Sequence, residues 1–166
     1  MQTKAVIRAA KRRDVPAIIV LWEELMDFHR ALDPFFTRAR NGVDLFRRFV
    51  EGNIGNDAAC VLVAVAGDRV VGYCQGMLDH HPPALAEPDY GQVLDFAVTA
   101  AYRRTGVGAQ MLKALCDWFR REGMRRIEVR HSAFNEAAAR FWPKMGFKSY
   151  MQTLFLELPD KRNVIR

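Results

Sequence analysis

The residues of this 166-residue chain best placed to do chemistry lie between Val93 and Ala109. There Val93-Leu94-Asp95-Phe96-Ala97-Val98 runs through Thr99-Ala100-Ala101 into Tyr102-Arg103-Arg104-Thr105-Gly106-Val107-Gly108, an order that predicts a strand, a tight turn and a helix start. A helix N-terminus presents unpaired N–H groups and about half a positive charge, and glycines let a phosphate come close to the backbone. Arg103 and Arg104 add full charges at the same place. The pattern suits a diphosphate cradle made by the amides from Arg104 to Ala109, with Thr105 and Val107 between the glycines. Two commoner phosphate motifs are excluded. The Walker pattern needs Gly-Lys followed by Ser or Thr, and the dinucleotide fingerprint needs a third glycine where Met111 stands.

Asp95 is the second chemical feature. An acid on an inner strand is costly to bury unpaired, so it is either tied to a neighbouring arginine or kept for proton transfer. Strict alternation points Asp95 away from Leu94 and Phe96 and puts it on one face with Val93 and Ala97. Glu87, His80 and His81, in a stretch from Asp79 to Tyr90 with three prolines, are further candidate bases. His80-His81 has no Cys or acid at a zinc-site spacing, so no metal is expected. Cys60, Cys74 and Cys116 are odd in number and set among apolar neighbours, which makes them core residues.

These groups need elements to hold them. Val6-Ile7-Arg8 predicts a short strand, and Asp14 is a suitable cap for a helix with Pro16 in its first turn. Ile18, Leu21, Trp22, Leu25 and Phe28 make one face of that helix, and His29 continues it as a core or rim histidine. Asp33-Pro34 ends the helix, and a shorter one is expected from Val43 to Glu51. Cys60 to Ala66 and Val70 to Leu78 flank Gly67-Asp68 and predict a hairpin. Gln92 to Thr99, a helix from Gly106 to Gly123, and Arg126 to Arg130 form a strand-helix-strand crossover, so one strand pair should be parallel. Asn135 is suited to cap a helix over Glu136 to Met145. Pro143 should shorten or kink that helix after Phe141. Phe147 to Leu158 predicts two final strands, and Pro159 to Arg166 a solvated tail. The fold class is α/β, a mixed and mostly antiparallel sheet with helices on both faces, in a single domain over residues 1–166.

Half of the residues are hydrophobic and 27% are charged, which excludes disorder. The longest apolar run, Ala58 to Ala66, is far short of the ~20 residues of a membrane-spanning helix, so no membrane is expected. The start at Met1-Gln2-Thr3-Lys4 has no apolar signal core, which predicts a cytoplasmic location. A net charge of +6 calls for an anionic partner without naming it.

The segment resembles the GNAT superfamily of N-acetyltransferases. Arg103, Gly106 and Gly108 meet its cofactor motif directly after a strand ending in Ala97-Val98, and Asn135, Ala138, the aromatic pair Phe141-Trp142 and Gly146-Phe147 meet its next one. The resemblance implies acetyl-CoA as co-substrate and acetyl transfer to an amine. It also implies a splayed parallel pair, with the pantetheine arm pairing with backbone near Phe96, Ala97 and Val98, and with Asn135 and Phe141 on the arm's other side. The N–H of Val98 is then the expected oxyanion donor. The phosphates of coenzyme A account for part of the basic excess without nucleic acid. Many family members carry an acidic tyrosine where this chain has Trp142, and indole is no proton acid near neutral pH. Tyr150 is one candidate to replace it, beside Tyr102, His131, Ser132 and solvent. Phe28, His29, Phe35, Phe36, His80 and His81 are candidate acceptor contacts. An acyl-CoA sensor without turnover and a basic nucleic-acid module using Arg120, Arg121, Arg125 and Arg126 are the competing expectations. A homodimer is compatible with the sequence.

Overall fold

A computed structural model describes residues 4–158. The first three residues and the tail from Pro159 to Arg166, expected to be solvated, lie outside the described residues. In chain order the elements are β1 (Val6–Ala9), α1 (Val15–Leu32), α2 (Gly42–Asn53), β2 (Ala59–Ala66), β3 (Arg69–His80), β4 (Asp89–Val98), α3 (Val107–Arg121), β5 (Ile127–Val129) and α4 (Glu136–Lys144). The strands form one sheet in the order β1-β2-β3-β4-β5. All neighbours are antiparallel except β4 and β5, which run parallel as the crossover requires.

Apolar faces fix which helix covers which side. Val15, Ile18, Ile19, Leu21 and Trp22 of α1 and Phe46 and Val50 of α2 pack on Val61, Val63 and Tyr73. On the other face Met111, Leu115 and Phe119 of α3 and Trp142 of α4 pack on Leu62, Cys74 and Val93. Phe119 lies so close to the sheet that a side chain at Gly76 or Gly91 would overlap its ring. The three cysteines are free, with Cys74 wholly buried and its thiol pushed well up by desolvation.

Several expectations are corrected. Asp14 sits at the start of α1 but does not cap it. Its carboxylate instead accepts two bonds from Arg8 at 2.7 and 2.9 Å and one from the Lys11 N–H at 2.7 Å, which holds it below the usual carboxylate range. The loop expected from Asp79 to Tyr90 shrinks to residues 81–88, because β3 and β4 stay paired to His80↔Asp89. Pro143 does not end α4 at Phe141. A proline there removes one N–H only, and the Met145 N–H still reaches the Phe141 carbonyl at 3.1 Å. Residues 147–158 form no strand. Leu154, Phe155, Leu156 and Leu158 are 79–88% exposed, and β-rich sequence without a ladder partner does not make a strand.

The largest correction concerns β4. Gln75 of β3 pairs with Asp95 and Gly76 with Val93, so Leu94 is an extra residue, a β-bulge. Beyond it the alternation is inverted. Val93 faces α3 with Phe96, whereas Asp95 and Ala97 face the α1 and α2 side.

Candidate functional site

β4 and β5 pair only from Gly91↔Ile127 to Val93↔Val129. From Leu94 to Val98, β4 keeps β3 on one edge and has no strand on the other. The Thr99 N–H donates to the Val71 carbonyl on the β3 side at 2.9 Å. Backbone groups alternate along a strand, so the N–H groups of Phe96 and Val98 point to the open edge. The Val98 carbonyl also lies there and accepts the Arg103 Nε–H at 2.9 Å. Arg103 is therefore partly committed to this edge, with the rest of its guanidinium left for an anion.

The mouth of this gap is the start of α3. Gly106, its first flanking residue, has φ +92, a left-handed geometry that glycine adopts at little cost, and Arg104 before it has φ +61. No side chain caps the helix: Gly106 has none, and the Thr105 hydroxyl turns away to donate to the Tyr102 carbonyl at 2.7 Å. The first-turn amides of Val107, Gly108 and Ala109 are thus without a capping side chain. A Cβ at Gly108 would stand 3.4 Å from Phe141, so this turn lies directly beside α4.

Across the gap Asn135 caps α4, its Oδ1 accepting the Ala138 N–H at 3.0 Å. Its Nδ2 lies 3.4 Å from His29 Nε2, while His29 Nδ1 lies 3.0 Å from the Leu25 carbonyl. A carbonyl only accepts, so Nδ1 carries the proton and Nε2 receives the Asn135 amide. Burial lowers the His29 pKa, which keeps that neutral form. The link from α1 to α4 was not legible in sequence beyond His29 continuing an apolar face. Phe28, Phe35 and Phe36 join His29 through ring contacts of 5.1–5.5 Å, whereas His80 and His81 lie elsewhere. Phe96 touches Phe141 and Trp142 at ring separations of 5.6 and 5.4 Å, and Trp142 is a core residue.

On the opposite face Asp95 meets no arginine. Its Oδ2 accepts the Gln75 Nε2–H at 2.8 Å, and Gln75 Oε1 accepts the Asn53 Nδ2–H at 3.1 Å. Desolvation pushes its pKa up to about 6, against the opposing pull of the Gln75 bond. The neighbouring Tyr73 hydroxyl is fully buried and has no hydrogen-bond partner among the described residues.

The other candidates gather at the paired end of β4. The Tyr150 hydroxyl donates to Glu128 Oε2 at 2.6 Å under the Arg126 guanidinium, and the first of these contacts raises its pKa. His81 Nε2 lies 2.9 Å from Glu128 and its ring stacks on Tyr90. Glu87 pairs with Arg125 at 3.2 Å. Of the basic cluster, Arg120, Arg125 and Arg126 each face an acid of the chain itself. No helix among the described residues is long and apolar enough to cross a membrane.

An uncapped, glycine-bordered helix start beside an unpaired strand edge is the arrangement of an acyltransferase fold. The family model described as "Acetyltransferase (GNAT) family" matches residues 19–147, and the chain belongs to that family. Among solved structures it is similar to a tetramutant of the BH1408 protein from Bacillus halodurans, with 22% identity and a TM-score of 0.83 over 92% of this chain and 99% of that one. It is also similar to a predicted acetyltransferase from Clostridium acetobutylicum with acetyl-CoA, with 14% identity and a TM-score of 0.74 over 92% and 96%. AAC(6')-Iy in complex with the bisubstrate analog CoA-S-monomethyl-acetylneamine matches at 16% identity and a TM-score of 0.72 over 95% and 100%. No curated protein matches the sequence.

Proposed function

We propose that the chain transfers the acetyl group of acetyl-CoA to a primary amine of a small molecule or peptide by direct attack. The observation that carries this is the first turn of α3, whose amides no side chain caps, opening onto a strand edge with free N–H groups at Phe96 and Val98. The residues fit the cofactor. Amides from Arg104 to Ala109 receive the diphosphate with the charge of Arg103 and Arg104, while Phe96, Ala97, Val98, Asn135, Ala138, Phe141 and Trp142 border the pantetheine arm. Acetyl-CoA supplies an activated thioester.

An alkyl amine with a pKa near 10.4 arrives protonated. Asp95, the one candidate base on the open half of β4, takes that proton, directly or through water. The Val98 N–H faces the charge that develops on the thioester oxygen. Tyr150 holds its proton on Glu128, so solvent protonates the departing thiolate. Calorimetry with acetyl-CoA, followed by thiol release across a panel of primary amines, tests the proposal. Binding with thiol release for at least one amine is expected. Absence of acetyl-CoA binding overturns the cradle, and binding with no release across the panel turns the chain into an acyl-CoA sensor.

A further inference from the structure

We infer that Asn53 and Gln75 are positioning residues that set the charge and the aim of Asp95. The inference rests on the proposed role of Asp95 and supplies the machinery behind it. An ionised carboxylate has acceptors only, so the Gln75 amide must turn its Nε2 to Asp95 Oδ2, which it does at 2.8 Å. Its Oε1 is left at the far end, where the Asn53 Nδ2–H meets it at 3.1 Å. Gln75 is fully buried and Asn53 is 5% exposed, so water does not compete for the bond between them. The chain of donors therefore runs one way, from α2 through β3 to β4.

A protonated Asp95 would call for an acceptor. Turning the Gln75 amide to provide one would set its Nε2 against Asn53 Nδ2, two buried donors with nothing between them. The relay thus favours the ionised carboxylate that burial opposes. Other groups around Asp95 do not take over this role. The titratable groups of β3 within its electrostatic reach are the Tyr73 phenol and the Cys74 thiol, both held protonated by burial. No cation of α1, α2 or β5 pairs with it among the described residues.

The test is a carboxyl-carbon NMR titration of Asp95, assigned by its loss in Asp95→Asn, together with the pH profile of kcat/KM. Both are measured in the wild type, Gln75→Leu and Asn53→Ala. Gln75→Leu is expected to raise the Asp95 midpoint by about one unit, to move the acidic limb of the rate profile equally, and to slow turnover about tenfold on that limb. Asn53→Ala should move both the same way by less, with the KM for acetyl-CoA unchanged. An unmoved Asp95 midpoint in Gln75→Leu overturns the inference, and so does a loss of thermal stability with neither midpoint changed. If Gln75→Leu does not fold, Asn53→Ala decides by the same criterion. A moved Asp95 midpoint with an unmoved rate profile upholds the relay and removes Asp95 as the base, so the two ideas fail separately.

Discussion

The two halves of β4 have opposite fates. From Asp89 to Val93 the strand is paired on both edges or held by side chains, with Tyr90 donating to Asp79 at 2.8 Å and Glu128 shared by His81, Arg126 and Tyr150. From Leu94 to Val98 one edge is bare and the central acid answers only to two amides. Ionisable groups are as numerous in the closed half, yet there they satisfy one another. Unspent hydrogen-bonding capacity, rather than the number of polar residues, marks the half suited to chemistry.

The contrast can be broken at several points. Asp95→Asn should have the largest effect, lowering kcat/KM by about 10² to 10⁴ while leaving acetyl-CoA binding intact by calorimetry. The same variant carries a stability signature. The folded pKa of Asp95, about 6, lies above its unfolded value, so between about pH 4 and 6 the folded state binds more protons and stability falls as pH rises. Asp95→Asn should therefore unfold at a higher temperature than the wild type at pH 7.5, with the gap closing near pH 4. An equal gap at both pH values would contradict the desolvated carboxylate. Next comes Gly108→Val. A Cβ there already stands 3.4 Å from Phe141, and two further methyls would crowd the helix start. Acetyl-CoA affinity should fall at least about tenfold, with no comparable loss from an exposed change such as Arg140→Gln on the outer side of α4. The smallest effect belongs to Tyr73→Phe. Removing a buried hydroxyl without a partner should leave stability unchanged or raise it by up to ~1 kcal/mol in a urea melt, and a clear loss would reveal a partner.

Much of this was legible in the residues. The apolar periodicity of α1, the Gly67 turn, the glycines at the start of α3 and the Asn135 cap each act through contacts a few residues away, so local sequence was enough. The face of Asp95 was not legible, because alternation presumes an unbroken ladder and the bulge at Leu94 is set by register with β3, some twenty residues earlier. Tyr150 looked available for the same reason: nothing near it in sequence announces Glu128. The strands expected from Phe147 to Leu158 needed an edge to join, and propensity does not provide one. The cradle was the most legible part of the site, since its chemistry belongs to consecutive amides, whereas the Asn53–Gln75–Asp95 relay draws on three separate elements.

The extra residue at Leu94 works as a phase shifter. One continuous strand delivers a ring, Phe96, to one layer and an acid, Asp95, to the other, with the coordination that two separate loops would lack. Length is therefore a more fragile property of this segment than identity. Losing a single position there would interchange its inner and outer surfaces at a stroke, whereas replacing Leu94 with another side chain would leave that handedness untouched.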